Sequence, residues 1–165
     1  FSGKTFGIVG YGRFGQALGR RCQALGMKVL AYDIYKVPEL ECDTMRYVEM
    51  DELLANSNII SLHVPSLPVQ PLVSREALAK MKDGVIIINT SRGTNVDEAA
   101  LLEALESGKV YGAGLDVFAE EPSKNEALYK HPRVSSTPHI GASTEEAQAR
   151  IGVEIVDLIS KAFNL

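Results

Sequence analysis

Val9-Gly10-Tyr11-Gly12-Arg13-Phe14-Gly15 is the stretch that decides how this chain folds. An apolar run, Phe6 to Val9, leads into it, and a helix-forming run, Gln16 to Leu25, leads out. A second apolar run, Lys28 to Tyr32, closes on Asp33, about 20 residues after the first glycine, as a dinucleotide site requires. The order is strand, tight turn, helix, strand, acid. In such a unit Gly10 permits the turn. Gly12 lets the backbone approach a pyrophosphate, and Gly15 lets the helix pack against the strand. The helix N-terminus then offers free N–H groups and the positive end of a dipole to the phosphates.

Glycines also mark ordinary loops, so the flanking strands, the helix and the acid carry the assignment. Asp33 accepts hydrogen bonds from both ribose hydroxyls and repels a 2′-phosphate, so the pocket is expected to take NAD in preference to NADP. Arg13 does not reverse this, because inside the turn it faces the pyrophosphate.

The 165 residues are enough for one domain with a real core. Net charge is −4, from 17 basic and 21 acidic residues, which argues against a nucleic-acid or anionic-membrane surface. No apolar run approaches the roughly 20 residues of a membrane span, and no signal peptide is visible. Cys22 and Cys42 share no metal-ligand spacing, and no metal site is expected. Cys22 falls on the apolar side of the first helix and reads as a core residue. Free thiols suit a cytoplasmic protein. The chain begins at Phe1 with a strand almost at once, and is expected to be a piece of a longer protein.

Strands and helices alternate along the rest of the chain. An irregular stretch with Pro38 follows Asp33, then a short helix from Met50 to Asn56, then a strand from Ile59 to Val64 running into Pro65. Ser66 to Pro71 reads as a loop, and Ser74 caps a helix that leads to Met81. After an Asp83-Gly84 turn comes Val85 to Asn89, continuously apolar as a strand covered on both faces would be. Asp97 caps a helix to Ser107, which Gly108 ends. Tyr111 to Val117 is the next strand. A long loop follows, with a short helix at Asn125 to Tyr129, and Val134 to Thr137 is the last strand. Ser143 with Glu146 reads as a capping box opening a final helix to about Phe163, whose apolar residues include Ile151, Ile155, Leu158 and Ile159. The pattern predicts a Rossmann-type α/β fold: a doubly wound parallel sheet with helices on both faces, one three-layer domain over residues 1–165.

Three polar blocks stand at strand C-terminal ends, where ligands bind in open α/β sheets. They are Asn89-Thr90-Ser91-Arg92-Gly93, Asp116 to Pro122, and Pro138 to Thr144. Each has an ordinary reading: a surface arginine, a solvated glutamate, a capping histidine. Together they suit hydride transfer to a ketone. A histidine supplies the proton near neutral pH. A carboxylate beside it stabilises its protonated form. An arginine grips a substrate carboxylate in forked geometry. His63, at a strand end, reads as structural, and His131, before Pro132, as solvated.

The glycine loop, Leu62-His63-Val64-Pro65, the Asn-Thr-Ser-Arg-Gly block, Gly114-Leu115-Asp116-Val117-Phe118 with Glu-Glu-Pro, and His-Ile-Gly-Ala-Ser-Thr together resemble the D-isomer-specific 2-hydroxyacid dehydrogenases. The resemblance runs from Gly3 to about Val156. The last block, followed by Glu-Glu-Ala-Gln, is most similar to the D-3-phosphoglycerate dehydrogenases of that family. What it implies is NAD-dependent oxidation of a 2-hydroxy acid, or reduction of the 2-keto acid, at the first step of serine biosynthesis. Arg92 would bind the substrate carboxylate and carbonyl, and His139 would be the general acid/base. Glu121, which adjoins Pro122, would pair with His139 in preference to Glu120. Arg13 and Phe14 would give backbone N–H groups to the pyrophosphate, with Asp33 on the adenosine ribose. Val64 and Pro65 would flank the adenine and ribose side. Thr90, Ser91 and Asp116 would lie on the nicotinamide side, Asp116 taking the carboxamide, with Gly141 and Ala142 closing that end. Glyoxylate or hydroxypyruvate reductase and D-lactate dehydrogenase are the alternatives. From another class comes an NAD-sensing co-repressor-like binding module. Full-length members carry a substrate domain that this chain lacks, and the parent is expected to be a homo-oligomer. The chain alone is expected to be a monomer, or weakly associating, that binds NAD with little turnover.

Overall fold

A computed structural model describes residues 1–66 and 71–164. Seven strands form one sheet: β1 (Thr5–Val9), β2 (Lys28–Tyr32), β3 (Met45–Tyr47), β4 (Ile59–Leu62), β5 (Val85–Asn89), β6 (Val110–Leu115) and β7 (Val134–Ser136). Their order is β3-β2-β1-β4-β5-β6-β7, and every described pairing is parallel. The chain winds outward from β1 to β3, returns to β4 and winds the other way. The direction reverses between β1 and β4, so the groove for a ligand opens there.

Among the described residues five α-helices link the strands, α1 (Arg13–Ala24), α2 (Met50–Asn56), α3 (Arg75–Lys80), α4 (Glu98–Glu106) and α5 (Glu126–Tyr129), and α6 (Glu145–Phe163) follows β7. Leu53 and Leu54 of α2, Leu78 of α3, Leu101 and Leu105 of α4 and Leu128 of α5 pack with Val9, Ile60, Leu62, Val85 and Ile87 into the larger core. The smaller core, on the other sheet face, joins Cys22 of α1 to Phe6, Ile8, Met27, Val29, Ala31 and Met45. Leu101 is 0% exposed at the centre of the larger core. Leu101→Ala is therefore expected to destabilise the fold by about 2–5 kcal/mol in a urea titration.

Four details depart from the sequence reading. β3 lies in the stretch read as irregular; it is a three-residue edge strand set by its pairing with β2 rather than by any pattern of its own. β5 is fully covered on one face only. Ile86 and Ile88 are half-buried, because α1, the helix on their side, lies over β1 and β2. The cap of α6 is Thr144, whose hydroxyl accepts from Ala147 N–H at 3.1 Å; one residue past Ser143, this leaves Glu146 out of register for a capping box. His131 is held, not merely solvated: its Nδ1 accepts from Arg133 N–H at 3.1 Å, closing the turn into β7. The predicted loop at Ser66 to Pro71 lies largely outside the described residues. Asp97 and Ser74 cap α4 and α3 as expected, each accepting from the N–H three residues on. The apolar stripe of α6 buries no residue.

Candidate active site

The glycine loop sits at the point where strand order reverses. Gly10 has φ +92°, and a Cβ there would stand 2.6 Å from the His63 carbonyl oxygen at the end of β4. At Gly15 a Cβ would fall 2.2 Å from the Gly10 carbonyl oxygen, so helix and loop touch backbone to backbone. Gly12 is the N-cap of α1; no side chain caps the helix, and no acid lies in its first turn. A Cβ on Gly12 would meet no atom within 4 Å. Bare backbone donors with open space before them fit the pyrophosphate of a dinucleotide.

Asp33 ties the loop to β2. Its Oδ2 accepts from Tyr11 N–H at 2.6 Å and its Oδ1 from Tyr35 N–H at 2.9 Å. Each oxygen keeps acceptor capacity for a ribose hydroxyl. The carboxylate thus shapes the glycine loop, a task the sequence did not reveal.

A cavity of about 810 Å³ runs from this loop across the C-terminal ends of the strands. Phe14, Val64, Pro65, Thr90, Ser91, Arg92, Asp116, His139, Gly141 and Ala142 all line it. Gly10, Gly12, Arg13, Gly15 and Asp33 do not. They form the turn at its edge, and Glu121 borders an adjoining cavity of about 400 Å³ with His139. Phe6, Leu18, Ser61 and His63 also line the large cavity, unforeseen from sequence as contributors to it. His63 bonds Ser61 Oγ at 2.9 Å, and burial lowers its pKa, favouring the neutral ring. The alternation along β4 signals this: Ser61 and His63 share the face opposite Ile60 and Leu62.

Arg92 follows β5 and stays exposed, while the turn beneath it is buried. Asn89 Nδ2 donates to the Arg92 carbonyl at 2.9 Å, and Asn89 Oδ1 accepts from Ser91 N–H and Oγ–H. Asn95 Nδ2 reaches Ser91 Oγ at 3.1 Å and the Val64 and Pro65 carbonyls at 3.2 and 3.3 Å. Ser91 therefore braces the arginine turn with its side chain. The cavity wall at Val64 and Pro65 and the arginine turn share one network through the buried Asn95, which was missed because a single asparagine carries no spacing signal.

His139 Nδ1 and Glu121 Oε2 are 2.7 Å apart, so of the two adjacent acids it is Glu121 that pairs with the histidine. Glu120 pairs with Lys124 instead. The His139 hydrogen bond and the Phe118 N–H hold the Glu121 carboxyl below the usual carboxylate range. Burial pushes the Asp116 carboxyl up, but hydrogen bonds from Thr137, Ile140 and Gly141 outweigh it and bring it lower. Both acids have folded-state pKa values below their unfolded ones. The stability they contribute is present above about pH 4 and is lost as pH falls through the folded values. Stability to urea is expected to fall below about pH 4, and less steeply in Glu121→Gln.

The site thus joins a dinucleotide-type turn to an arginine and a histidine–glutamate pair on one rim. The D-isomer specific 2-hydroxyacid dehydrogenase NAD binding domain model matches residues 1–141. The chain belongs to this family. The chain is 50% identical to a hydroxypyruvate reductase of Thermotoga maritima, over 99% of the chain and 54% of that protein. It is 46% identical to a D-3-phosphoglycerate dehydrogenase of Mycobacterium leprae, over 97% of the chain and 31% of that protein. A D-lactate dehydrogenase with NAD+ from Lactobacillus jensenii superposes with a TM-score of 0.87 at 36% identity, over 98% of the chain and 53% of that structure. The chain therefore spans about half or less of the length of these relatives, and the part it spans matches the NAD binding domain, of Rossmann-type fold. Among the described residues no helix is long and apolar enough to cross a membrane, and no group of three metal-binding side chains occurs.

Proposed function

We propose that this chain is the cofactor half of an NAD-dependent enzyme that interconverts a 2-hydroxy acid and its 2-keto acid. The 2.7 Å contact of Glu121 with His139, which lines the same cavity as Arg92, carries the reading. NAD, when bound, accepts or returns the hydride. The backbone N–H groups of the Gly12–Phe14 turn hold its pyrophosphate, and Asp33 holds its adenosine ribose. Val64 and Pro65 wall the adenine and ribose side; Thr90, Ala142 and Gly141 wall the other end. Arg92 fixes the substrate carboxylate through paired N–H donors and draws electron density from the carbonyl. His139 gives a proton to the carbonyl oxygen during reduction and removes it from the hydroxyl during oxidation. Glu121 orients the imidazole and stabilises its protonated form.

The side chains of His139 and Glu121 are 51% and 40% exposed. Hydride transfer needs contact distances and exclusion of water, so a second domain closes this cleft in the working enzyme, and the chain alone binds NAD with little turnover. The substrate read from His139 to Gln148 is 3-phosphoglycerate. Hydroxypyruvate is the second reading, favoured by the 50% identity to the Thermotoga reductase. The keto acid of 3-phosphoglycerate is phosphohydroxypyruvate, which differs from hydroxypyruvate by a phosphate. Comparing kcat/KM for phosphohydroxypyruvate and hydroxypyruvate in the full-length enzyme decides between them, and activity on neither, with pyruvate and glyoxylate also inert, overturns the enzyme reading.

Asp33→Ala is expected to weaken NADH binding and to narrow the gap to NADPH, since one carboxylate both accepts from the ribose and repels a phosphate. Parallel NADH and NADPH titrations check this. An unchanged ratio removes Asp33 from cofactor selection.

A further inference from the structure

His139 is one of two described non-glycine residues with positive φ, at +56°. A left-handed backbone costs an L-residue with a Cβ roughly 1–2 kcal/mol, and it persists only where the surroundings over-determine it. Here most of the bonds on the turn go to one residue, Asp116, while the Leu115 carbonyl accepts from Thr137 N–H at 3.0 Å and Glu121 holds the His139 ring. His139 N–H donates to the Asp116 carbonyl at 2.9 Å. Ile140 N–H donates to Asp116 Oδ1 at 2.9 Å, Gly141 N–H to Oδ2 at 3.0 Å, and the Thr137 hydroxyl to Oδ1 at 2.5 Å. Four donors from Thr137 to Gly141 converge on Asp116, which is 7% exposed at the end of β6. Two residues further along the same strand exit, Phe118 N–H holds Glu121 Oε1 at 3.1 Å. Both members of the histidine–glutamate pair hang from one strand end.

We propose that Asp116 is a positioning residue. Its carboxylate locks the 137–141 turn in the left-handed form that brings the His139 ring to Glu121. This goes beyond contact with the cofactor and rests on the reading of His139 and Glu121 as the acid–base pair. Side-chain amide in place of carboxylate turns one acceptor into a donor that faces a backbone N–H, so Asp116→Asn releases the turn and separates the pair.

The test reads Glu121 by carboxyl carbon-13 NMR titration in the 165-residue chain without cofactor, so it stands apart from any failure of NAD binding or turnover. Two groups act on Glu121 in opposite directions: His139 draws its pKa down and the negative charge of Asp116 pushes it up. If Asp116 is only a neighbouring charge or a cofactor contact, Asp116→Asn moves the Glu121 midpoint down or leaves it in place. If Asp116 positions His139, the midpoint moves up toward that of an ordinary glutamate, and in a His139→Gln background the same substitution no longer raises it. Thr137→Val keeps the Asp116 charge and removes one donor from the clamp. It is expected to raise the midpoint by a smaller amount, and it serves if Asp116→Asn does not fold. A fall or no change in the variant that folds overturns the proposal.

Discussion

In the full-length enzyme, His139→Ala is expected to cut turnover by roughly two to four orders of magnitude, the usual worth of a positioned general acid–base group. His139 lines the cavity beside Arg92 and has Glu121 behind it at 2.7 Å. Alanine leaves the oxygen of the keto acid with water as its proton source. Glu121 cannot replace it, because with the imidazole gone its carboxylate still accepts from the Phe118 N–H, which favours the ionised form that has no proton to give. Arg92 lies on a turn braced by Asn89, well apart in sequence, and keeps its grip on the substrate carboxylate. The loss therefore falls on kcat, with the KM for the keto acid and the affinity for NADH little changed. Steady-state kinetics with a parallel NADH titration separate these. A normal rate removes His139 from the mechanism, and a loss confined to KM makes it a binding group.

Gly15→Val is expected to lower NADH affinity by about tenfold or more, equivalent to about 1.4 kcal/mol or more. A Cβ at Gly15 would lie 2.2 Å from the Gly10 carbonyl oxygen and 3.2 Å from Ile8 Cγ2. The oxygen belongs to backbone in a turn already fixed by φ +92° and by the Tyr11 bond to Asp33. The collision cannot be relieved by a rotamer change. Helix α1 must move away from β1, carrying the Gly12–Phe14 donors with it. Melting temperature and affinity measured on the same variant separate a general loss of fold from a displaced helix. A folded protein with unchanged NADH affinity contradicts this reading of the turn.

The parts of the molecule legible from sequence are those with strong local physics. The glycine turn, the caps at Ser74 and Asp97, and the apolar run Val85 to Asn89 each state their structure in a few residues. The pairing of Glu121 with His139 was legible through resemblance and chemistry together, since no spacing rule joins residues so far apart in the chain. What escaped depends on distant contacts. β3 exists because β2 offers an edge to pair with. The cap of α6 is set by the turn that Ile140 and Ser143 make before it, which delays the helix by one residue. The bracing by Asn95 and the clamp on Asp116 are made by backbone groups that the sequence brings together only after folding. The half-covered face of β5 was hidden because a continuous apolar run reports which positions are apolar, not which of them a helix reaches.

The most direct test is a fluorescence titration of the 165-residue chain with NADH, with NADPH alongside; the chain has no tryptophan to obscure the dihydronicotinamide signal. Saturable binding that favours NADH, weakened about tenfold or more in Gly15→Val and less selective in Asp33→Ala, is the expected result. A folded chain that binds neither nucleotide, or binds both alike, contradicts it.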